Sequence, residues 1–180
     1  MVADAQESGS NVRAVEFGPY KIVRRLGVGG MAETFEALRC GPDDFTQRVC
    51  LKLVLSEFRD DKEFVRLFQR EARLAAKLRH SNVVGVLDFG SIDDTPYMAL
   101  ELVDGVDLLT LLVEERRLPF DYVARLAIEV AKGLDHAHSP PSSAGIDDSS
   151  TGLQGIVHRD LSPSNIMLSQ RGEIMLADFG

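Results

Sequence analysis

Two charged residues stand at positions where the surrounding sequence predicts burial. Lys52 is the single charge in the apolar run 49–55, which has the composition of a buried strand. Glu71 lies in the apolar row of the helical pattern that follows, so its carboxylate is predicted to point inward. A buried charge needs a partner, and these two groups are candidates to neutralise each other. The alternative is that Lys52 snorkels from an edge strand and Glu71 lies at the rim of its helix.

A glycine-rich segment, Gly27-Val28-Gly29-Gly30, separates two stretches of strand type. Glycine lets backbone amides approach phosphate oxygens, because no Cβ holds the two apart. The segment lacks the Gly-Lys-Ser/Thr ending of a P-loop, and it joins two strands, whereas a dinucleotide-binding loop opens a helix. It therefore indicates either a plain hairpin turn or a phosphate-binding hairpin of another kind.

The third group of polar residues lies near the carboxyl end of the sequence. It comprises the run His158-Arg159-Asp160-Leu161-Ser162-Pro163-Ser164-Asn165 and the later triplet Asp178-Phe179-Gly180. Asp-Phe-Gly also occurs at 88–90 in an ordinary strand and turn position, so the triplet alone is not specific.

The series as a whole resembles the eukaryote-like protein kinases, because the glycine hairpin, Lys52, Glu71, the polar run and the triplet follow that family's sequence order. The glycine segment is most similar to that of bacterial Ser/Thr kinases. The resemblance covers about residues 17 to 180, and it implies a kinase catalytic domain truncated after the Asp-Phe-Gly motif.

The resemblance implies an ATP- and Mg²⁺-dependent protein serine/threonine kinase that transfers the γ-phosphoryl group to a protein hydroxyl in signalling. Asp160 would accept the proton of that hydroxyl. Lys52 would hold the α and β phosphates, and Glu71 would fix the Lys52 ammonium. Asn165 and Asp178 would bind Mg²⁺ through oxygen atoms, which suit this ion. His158 and Arg159 are expected to support the loop.

The same resemblance implies a nucleotide site in which backbone groups of the glycine segment cover the phosphates. Backbone groups of Glu101 and Val103 are expected to hydrogen-bond to the adenine. The residues expected to bind the nucleotide are Leu26, Gly27, Val28, Gly29, Gly30, Thr34, Cys50, Lys52, Glu101, Val103 and Met167.

Several features depart from the family pattern. Ala32 replaces the third glycine of the loop, and Thr34 stands where valine is usual. Ser162 replaces a lysine that reaches toward the transferred phosphate, so another cation must substitute or transfer slows. The activation segment and later helices are absent from the 180 residues, so the isolated chain is expected to be inactive or weakly active.

Two other functions stay open at this point. One is a catalytically inactive, pseudokinase-like module that binds a nucleotide or another protein, which Ser162 favours. The other is a small-molecule phosphotransferase, which shares an Asp and Asn pair of similar spacing. Arg159, Phe179 and the glycine hairpin weigh against this second alternative.

The expected fold is α+β, of the two-lobe protein-kinase type. An antiparallel five-stranded small lobe with one main helix would precede an incomplete, mainly helical large lobe. The expected ranges are a flexible tail at 1–16, the small lobe and hinge at 17–103, and the partial large lobe at 104–180 with an inserted loop at 139–155. The predicted strands are 20–26, 34–39, 48–55, 83–89, 96–103, 166–168 and 174–176, and the predicted helices are 107–115, 120–138 and one opened by a capping box of Asp60 and Glu63.

Composition limits the partners. The 180 residues carry 20 Lys and Arg against 28 Asp and Glu, a net charge of −8, which gives no electrostatic footprint for nucleic acid. The 44% hydrophobic content is typical of a soluble globular protein, and no apolar run approaches the roughly 20 residues that span a bilayer. We expect a cytoplasmic protein whose partners are ATP and a protein substrate.

Cys40 and Cys50 lack metal or disulfide spacing and are expected to be reduced thiols.

Overall fold

The computed structural model of the chain describes residues 15–139 and 155–179. Nearly all of the predicted tail and of the predicted inserted loop therefore lies outside the described residues, as does Gly180. Val15 and Glu16, which were assigned to the tail, belong to the first strand. Within the described ranges, no helix combines the length and the apolar composition needed to cross a lipid bilayer.

The larger of two sheets has six strands where five were predicted. All neighbouring strands are antiparallel, in the order β1-β2-β3-β4-β6-β5. The additional strand β1 has three residues, too few for an alternating pattern to reveal it. The strands are β1 Val15–Phe17, β2 Tyr20–Val28, β3 Ala32–Cys40, β4 Thr46–Val54, β5 Val86–Ile92 and β6 Thr95–Glu101.

Strand β5 begins three residues later than predicted, because Val83 and Val84 pair elsewhere. The amide of Val84 donates to the carbonyl of Leu176 at 2.8 Å, and Val83 forms a parallel bridge with the same residue. Both valines are buried. The segment before β5 therefore connects the six-stranded sheet to a second sheet, whose middle strand directly follows the polar run.

Helix α1, Lys62–Ala75, packs against β5 and β6. Its N-cap is Asp61, whose carboxylate accepts hydrogen bonds from the amides of Glu63 and Phe64 at 3.0 and 3.1 Å. The predicted cap at Asp60 is wrong by one residue. Phe68 and Ala72 are buried against the sheet, whereas Leu67, predicted for the same apolar row, is 51% exposed.

The second sheet has three strands in the order β7-β8-β9 and packs against α3. A Cβ at Gly133 of α3 would lie 2.8 Å from the carbonyl oxygen of Asn82 and 2.9 Å from Cδ1 of Leu176, so only glycine permits this approach. These elements are β7 Gly105–Asp107, α2 Leu108–Glu115, α3 Phe120–His138, β8 Ile166–Ser169 and β9 Ile174–Leu176, with short 3₁₀ helices at Ser56–Phe58 and Pro163–Asn165.

Helix α3 has the predicted bounds, but it buries one narrow face. Its buried residues are Val130, Gly133 and Ala137. Phe120 is 89% exposed, and Val123 and Ile128 are also exposed. The apolar character around most of this helix is therefore not matched by burial within the described residues.

Candidate active site

An ion pair joins the two sheets at the centre of the site. Nζ of Lys52 lies 2.6 Å from Oδ1 of Asp178. Lys52 is on the inner strand β4, opposite Thr34 of β3 and Met98 of β6. Asp178 follows β9 and has a positive φ of 57°, a strained backbone conformation of the kind that clusters at functional sites. The cation predicted to hold phosphate thus contacts the carboxylate predicted to hold metal.

The predicted ion pair between Lys52 and Glu71 is not formed. Among the described residues, Glu71 takes part in no ion pair, although its carboxylate is partly buried on α1. Burial raises the pKa of this carboxyl, and Asp178 raises it further, while the charges of Lys52 and Arg159 act in the opposite direction. Sequence reasoning gave Lys52 the wrong partner because it treated Asp178 only as a metal ligand.

The polar run holds Asp160 and Asn165 together. Nδ2 of Asn165 donates to the backbone oxygen of Asp160 at 2.9 Å and to its Oδ2 at 3.1 Å. The backbone oxygen of Asn165 accepts from the amide of Ala177 at 2.9 Å, next to Asp178. The three residues predicted to act as base and metal ligands are therefore linked through one asparagine.

His158 ties the same run to the carboxyl-terminal triplet. Its side chain is almost fully buried, with Nε2 at 2.9 Å from the backbone oxygen of Ala177. Its ring lies on that of Phe179, with centroids 4.5 Å apart. Arg159, the next residue, has a positive φ of 62°. These contacts give His158 a supporting position between Asp160 and Asp178.

Ser162, in place of the usual lysine, makes only a local contact. Its hydroxyl lies 2.9 Å from that of Ser164, and both side chains are exposed. The 3₁₀ helix Pro163–Asn165 begins directly after Ser162 and carries Asn165. The pair of serines therefore shapes this turn without supplying a positive charge.

The glycine hairpin between β2 and β3 does not need glycine for its own geometry. Neither Gly27, Gly29 nor Gly30 has a positive φ. A Cβ would meet nothing within 4 Å at Gly30, and at Gly29 its nearest neighbour would be the oxygen of Ala32 at 3.4 Å. Neither the turn nor the packing requires glycine at these positions. The interpretation of the segment as a plain hairpin turn therefore does not explain why glycine is present.

A cleft of about 350 Å³ opens between the two sheets. Of the residues predicted to bind the nucleotide, Thr34, Lys52 and the segment 27–30 do not line it. The hydroxyl of Thr34 instead donates to the carbonyl of Gly27 at 3.3 Å, which closes the base of the glycine hairpin. The predicted residues that line the cleft are Leu26, Cys50, Glu101, Val103 and Met167.

The lining also includes five charged or polar residues that sequence reasoning missed. Asp107 caps α2, accepting at 2.8 Å from the amide and at 2.9 Å from the hydroxyl of Thr110, and an Asp-x-x-Thr pattern before a helix is a signal for this cap. Arg24 and Arg48 contact Glu36, which shares strand β3 with Glu33 and Arg39, so no isolated charge marked it in the sequence. The missed residues are Arg24, Arg48, Asp104, Asp107 and Thr110.

Cys50 is a half-buried residue that lines this cleft. Burial raises its pKa to about 11, and the Asp178 carboxylate contributes, against the opposite effect of Lys52. The thiol is therefore neutral near pH 7, and it meets the cleft as a small apolar group.

The oxygen ligands available for a metal are those that Mg²⁺ takes in proteins. Magnesium is commonly held by one or two carboxylates together with substrate phosphates. Asp178 supplies a carboxylate, and Asn165, whose backbone oxygen accepts from the amide of Ala177, the residue before Asp178, supplies an amide oxygen. Within the described ranges, no group of three or more His, Cys, Asp or Glu residues is placed to hold a metal, at this site or at any other. The donor set therefore fits Mg²⁺ that arrives with phosphate.

Comparisons with known proteins all identify protein kinases as similar to this chain. The family model for the protein kinase domain matches residues 20–180. The chain is 39% identical over 168 residues to the tyrosine-protein kinase MasK of Myxococcus xanthus, covering 91% of this chain and 25% of that protein. It is 33% identical to the probable serine/threonine-protein kinase PknB of Lactococcus lactis, covering 89% of this chain and 23% of that protein.

Among solved structures, the kinase domain of Mycobacterium tuberculosis PknI superposes with a TM-score of 0.72 at 32% identity, covering 92% of this chain and 60% of that one. The predicted two-lobe fold class is thereby confirmed, with six strands in place of five. The chain spans about a quarter of the length of the two curated relatives.

Proposed function

Because this chain belongs to the protein kinase domain family, we propose that the protein carrying it transfers the γ-phosphoryl group of ATP to a serine or threonine hydroxyl of a protein substrate. The observation that carries the proposal is the link from Asp160 through Asn165 to Ala177, which is followed by Asp178, the residue that contacts Lys52. We assign this activity to a complete kinase domain in the cytoplasm, with the small lobe and hinge at 17–103 and the large lobe from 104.

The residues of the site serve phosphoryl transfer in two ways: they position the reacting groups, and they neutralise charge on the phosphates. This reaction needs little covalent chemistry from the protein once donor and acceptor are held in line. Lys52 binds the α and β phosphates after it leaves Asp178, and Glu71 then becomes its partner. Asp178 and Asn165 would hold Mg²⁺, which neutralises charge on the phosphates when it is bound. The glycines at 27, 29 and 30 let backbone amides approach the phosphates.

Asp160 acts as the base toward the acceptor hydroxyl. Its Oδ2 accepts from Nδ2 of Asn165, which fixes the direction of the carboxylate. The other carboxylate oxygen is available to accept the proton of the substrate. Arg159, which precedes it, is the candidate partner for a phosphate on an activation segment.

The nature of the acceptor hydroxyl is a separate question, because MasK is named a tyrosine kinase and PknB a serine/threonine kinase. We propose serine and threonine on the basis of the Ser/Thr kinases among the relatives. Phosphoamino-acid analysis of a labelled generic protein substrate decides the point, and a phosphotyrosine product would overturn this part of the proposal.

The alternative function is an inactive module that binds a nucleotide or a protein. Two observations favour it: Lys52 contacts Asp178 and not Glu71, and Ser162 supplies no cation near the transferred phosphate. Transfer by a complete domain carrying this chain separates the two functions directly.

The test compares the complete domain with its Asp160→Asn variant. We expect radiolabel transfer to fall by about 10²-fold or more, because the base is removed, while the Kd for Mg-ATP stays within about twofold, a difference of less than 0.5 kcal/mol. Asp121→Asn, which changes an exposed carboxylate in the first turn of α3, is the matched control and should leave transfer unchanged. Undiminished transfer by Asp160→Asn would show that Asp160 is not the base.

A further inference from the structure

Glu36 is a buried carboxylate held between two arginines on the face of the sheet that meets the cleft. Only 6% of the residue is exposed. Its Oε2 lies 2.8 Å from Nε of Arg24, and its Oε1 lies 2.8 Å from Nη2 and 3.0 Å from Nε of Arg48. The Arg48 guanidinium, with help from Arg24, holds the pKa of this carboxyl below its usual range. The three residues form one charged unit, here called the Glu36 clamp.

The clamp connects three neighbouring strands. Glu36 lies on β3, opposite Arg24 of β2 on one side and Cys50 of β4 on the other. Arg48 lies two residues before Cys50 on the same strand, so its side chain emerges on the same face. The carboxylate therefore lies on the middle strand and forms an ion pair with one guanidinium from each flanking strand.

Strand β2 is irregular on both sides of Arg24. Its register with β3 shifts between Ile22 and Arg24 and again between Arg25 and Gly27. Such irregularities interrupt the ladder of hydrogen bonds and bend the strand. With less backbone pairing to fix it, this stretch of β2 depends more on the bond from Arg24 to Glu36.

The clamp fixes the part of the cleft wall that strands β2 and β4 form, here called the roof of the cleft. Arg24 and Arg48 themselves line the cleft, and the residues two positions further along their strands, Leu26 and Cys50, line it as well. Strand β2 then runs from Leu26 into the glycine hairpin. A change in the position of Arg24 therefore moves both the adenine-facing residue and the hairpin.

We propose that Glu36 is a positioning residue for nucleotide binding, which acts through Arg24 and Arg48 to fix the roof of the cleft and the glycine hairpin above the phosphates. This inference rests on the proposed function in taking ATP as the ligand of the cleft. Glu36 contacts neither the triplet nor the polar run in the described structure, so it does not act on the transfer step itself.

A role in stability alone does not explain the arrangement as well. Replacing a buried ion pair by apolar residues of similar volume is often neutral or stabilising, so such a pair is weak evidence of a contribution to folding. The guanidinium groups are more than half exposed, which reduces that contribution further. A role in fixing the positions of Arg24 and Arg48 at the cleft explains the buried carboxylate better than a contribution to folding stability does.

The test uses Glu36→Leu and Glu36→Gln in the complete kinase domain. We expect the Kd of ATP, measured by calorimetry, and the KM for ATP to rise about tenfold, equivalent to about 1.4 kcal/mol of binding free energy. The kcat should stay within about twofold, because the residues of the transfer step are untouched. Glu33→Gln is the matched control. It removes a carboxylate from the same strand β3, one that lies 3.5 Å from Arg25 of β2 and whose side chain is 31% exposed.

The two arginine variants separate positioning from direct contact with ATP. Arg24→Gln should raise the KM more than Arg48→Gln, since only Arg24 lies on the irregular strand. If the arginines bound ATP directly, Glu36→Leu would release them and lower the KM, which would overturn the proposal. Because Arg24 is 64% exposed at its side chain, Arg24→Gln provides a folded variant even if Glu36→Leu unfolds.

An unchanged Kd for ATP in folded Glu36→Gln and Arg24→Gln would also overturn the proposal. Calorimetry with ATP keeps this result distinct from a failure of the proposed kinase activity. If the wild-type domain binds ATP but transfers no phosphate, a weaker Kd in the Glu36 variants still supports the clamp.

Discussion

Lys52 and Asp178, which are brought together from different sheets, neutralise each other at 2.6 Å. The side chains are 22% and 46% exposed, so water screens their attraction. Exposed or partly exposed pairs of this kind typically contribute 0 to about 1 kcal/mol. The pair is therefore weak enough for either group to exchange its partner for another charged group.

The first prediction concerns this pair in the absence of nucleotide. A double-mutant cycle of Lys52→Met and Asp178→Asn, measured by chemical denaturation, should give a coupling free energy of about 0.5 kcal/mol. The cycle of Lys52→Met with Glu71→Gln should give a smaller value, because those two residues form no ion pair. A larger coupling to Glu71 than to Asp178 would contradict the observed arrangement.

The second prediction concerns Glu71 and pH. Burial raises the pKa of its carboxyl in the folded state above the ordinary value of 4.5, so the folded state keeps this proton to a higher pH than the unfolded state does. The wild-type protein therefore loses stability as pH rises from about 4.5 through the raised pKa. Glu71→Gln removes that loss, so the variant should be the more stable one near pH 7.

The measurement for Glu71 is the urea midpoint of both proteins from about pH 4 to about pH 8, without nucleotide. The difference between variant and wild type should be small at the acid end and grow with pH. The same variant should transfer phosphate more slowly, because Lys52 loses its partner for the nucleotide-bound state. A variant less stable than wild type near pH 7 would refute the pH argument.

The third prediction concerns Ser162. In a complete domain, Ser162→Lys should raise the single-turnover transfer rate, because it places a cation near the transferred phosphate where the serine hydroxyl contacts only Ser164. Ser162→Met, of similar length but uncharged, is the control. Equal rates in wild type and lysine variant would mean that another cation already fills this role.

The fourth prediction concerns Cys50. With a thiol pKa of about 11, only about one molecule in a thousand carries the thiolate near pH 8, and the thiolate is the reactive form. Iodoacetamide should therefore label Cys50 much more slowly in the native protein than in urea. Mass spectrometry of the digest gives the rate, with Cys40 as internal reference, and rapid native labelling would show that the thiol is not buried as described.

Local patterns predicted β4 and α3 because these elements are long enough to show their periodicity, whereas the short strands β8 and β9 were predicted from brief apolar runs. The strand around Lys52 is apolar over seven residues, and α3 keeps its helical pattern over its whole length. The capping error shows the limit of this approach: Asp60 and Asp61 are both acceptable caps, and only the backbone decides which carboxylate reaches the free amides.

The misassigned features depend on contacts between residues far apart in sequence. Val83 and Val84 have strand composition, but their partner is Leu176 of the other sheet. The choice of Asp178 over Glu71 as the partner of Lys52 depends on where the end of β9 lies relative to β4. The role of Glu36 depends on the register of three strands. No local pattern contains this information.

Gly133 makes helix α3, which lies outside the cleft, a target for temperature-sensitive mutations. Any side chain there would push α3 away from Asn82 and Leu176, and Leu176 lies two positions before Asp178 in the sequence. Random mutagenesis of the gene, followed by selection for heat-sensitive loss of function, should therefore return substitutions at 133 repeatedly. Such variants would retain all the residues of the candidate site. They would lose function because β9, the strand that precedes Asp178, no longer packs against α3.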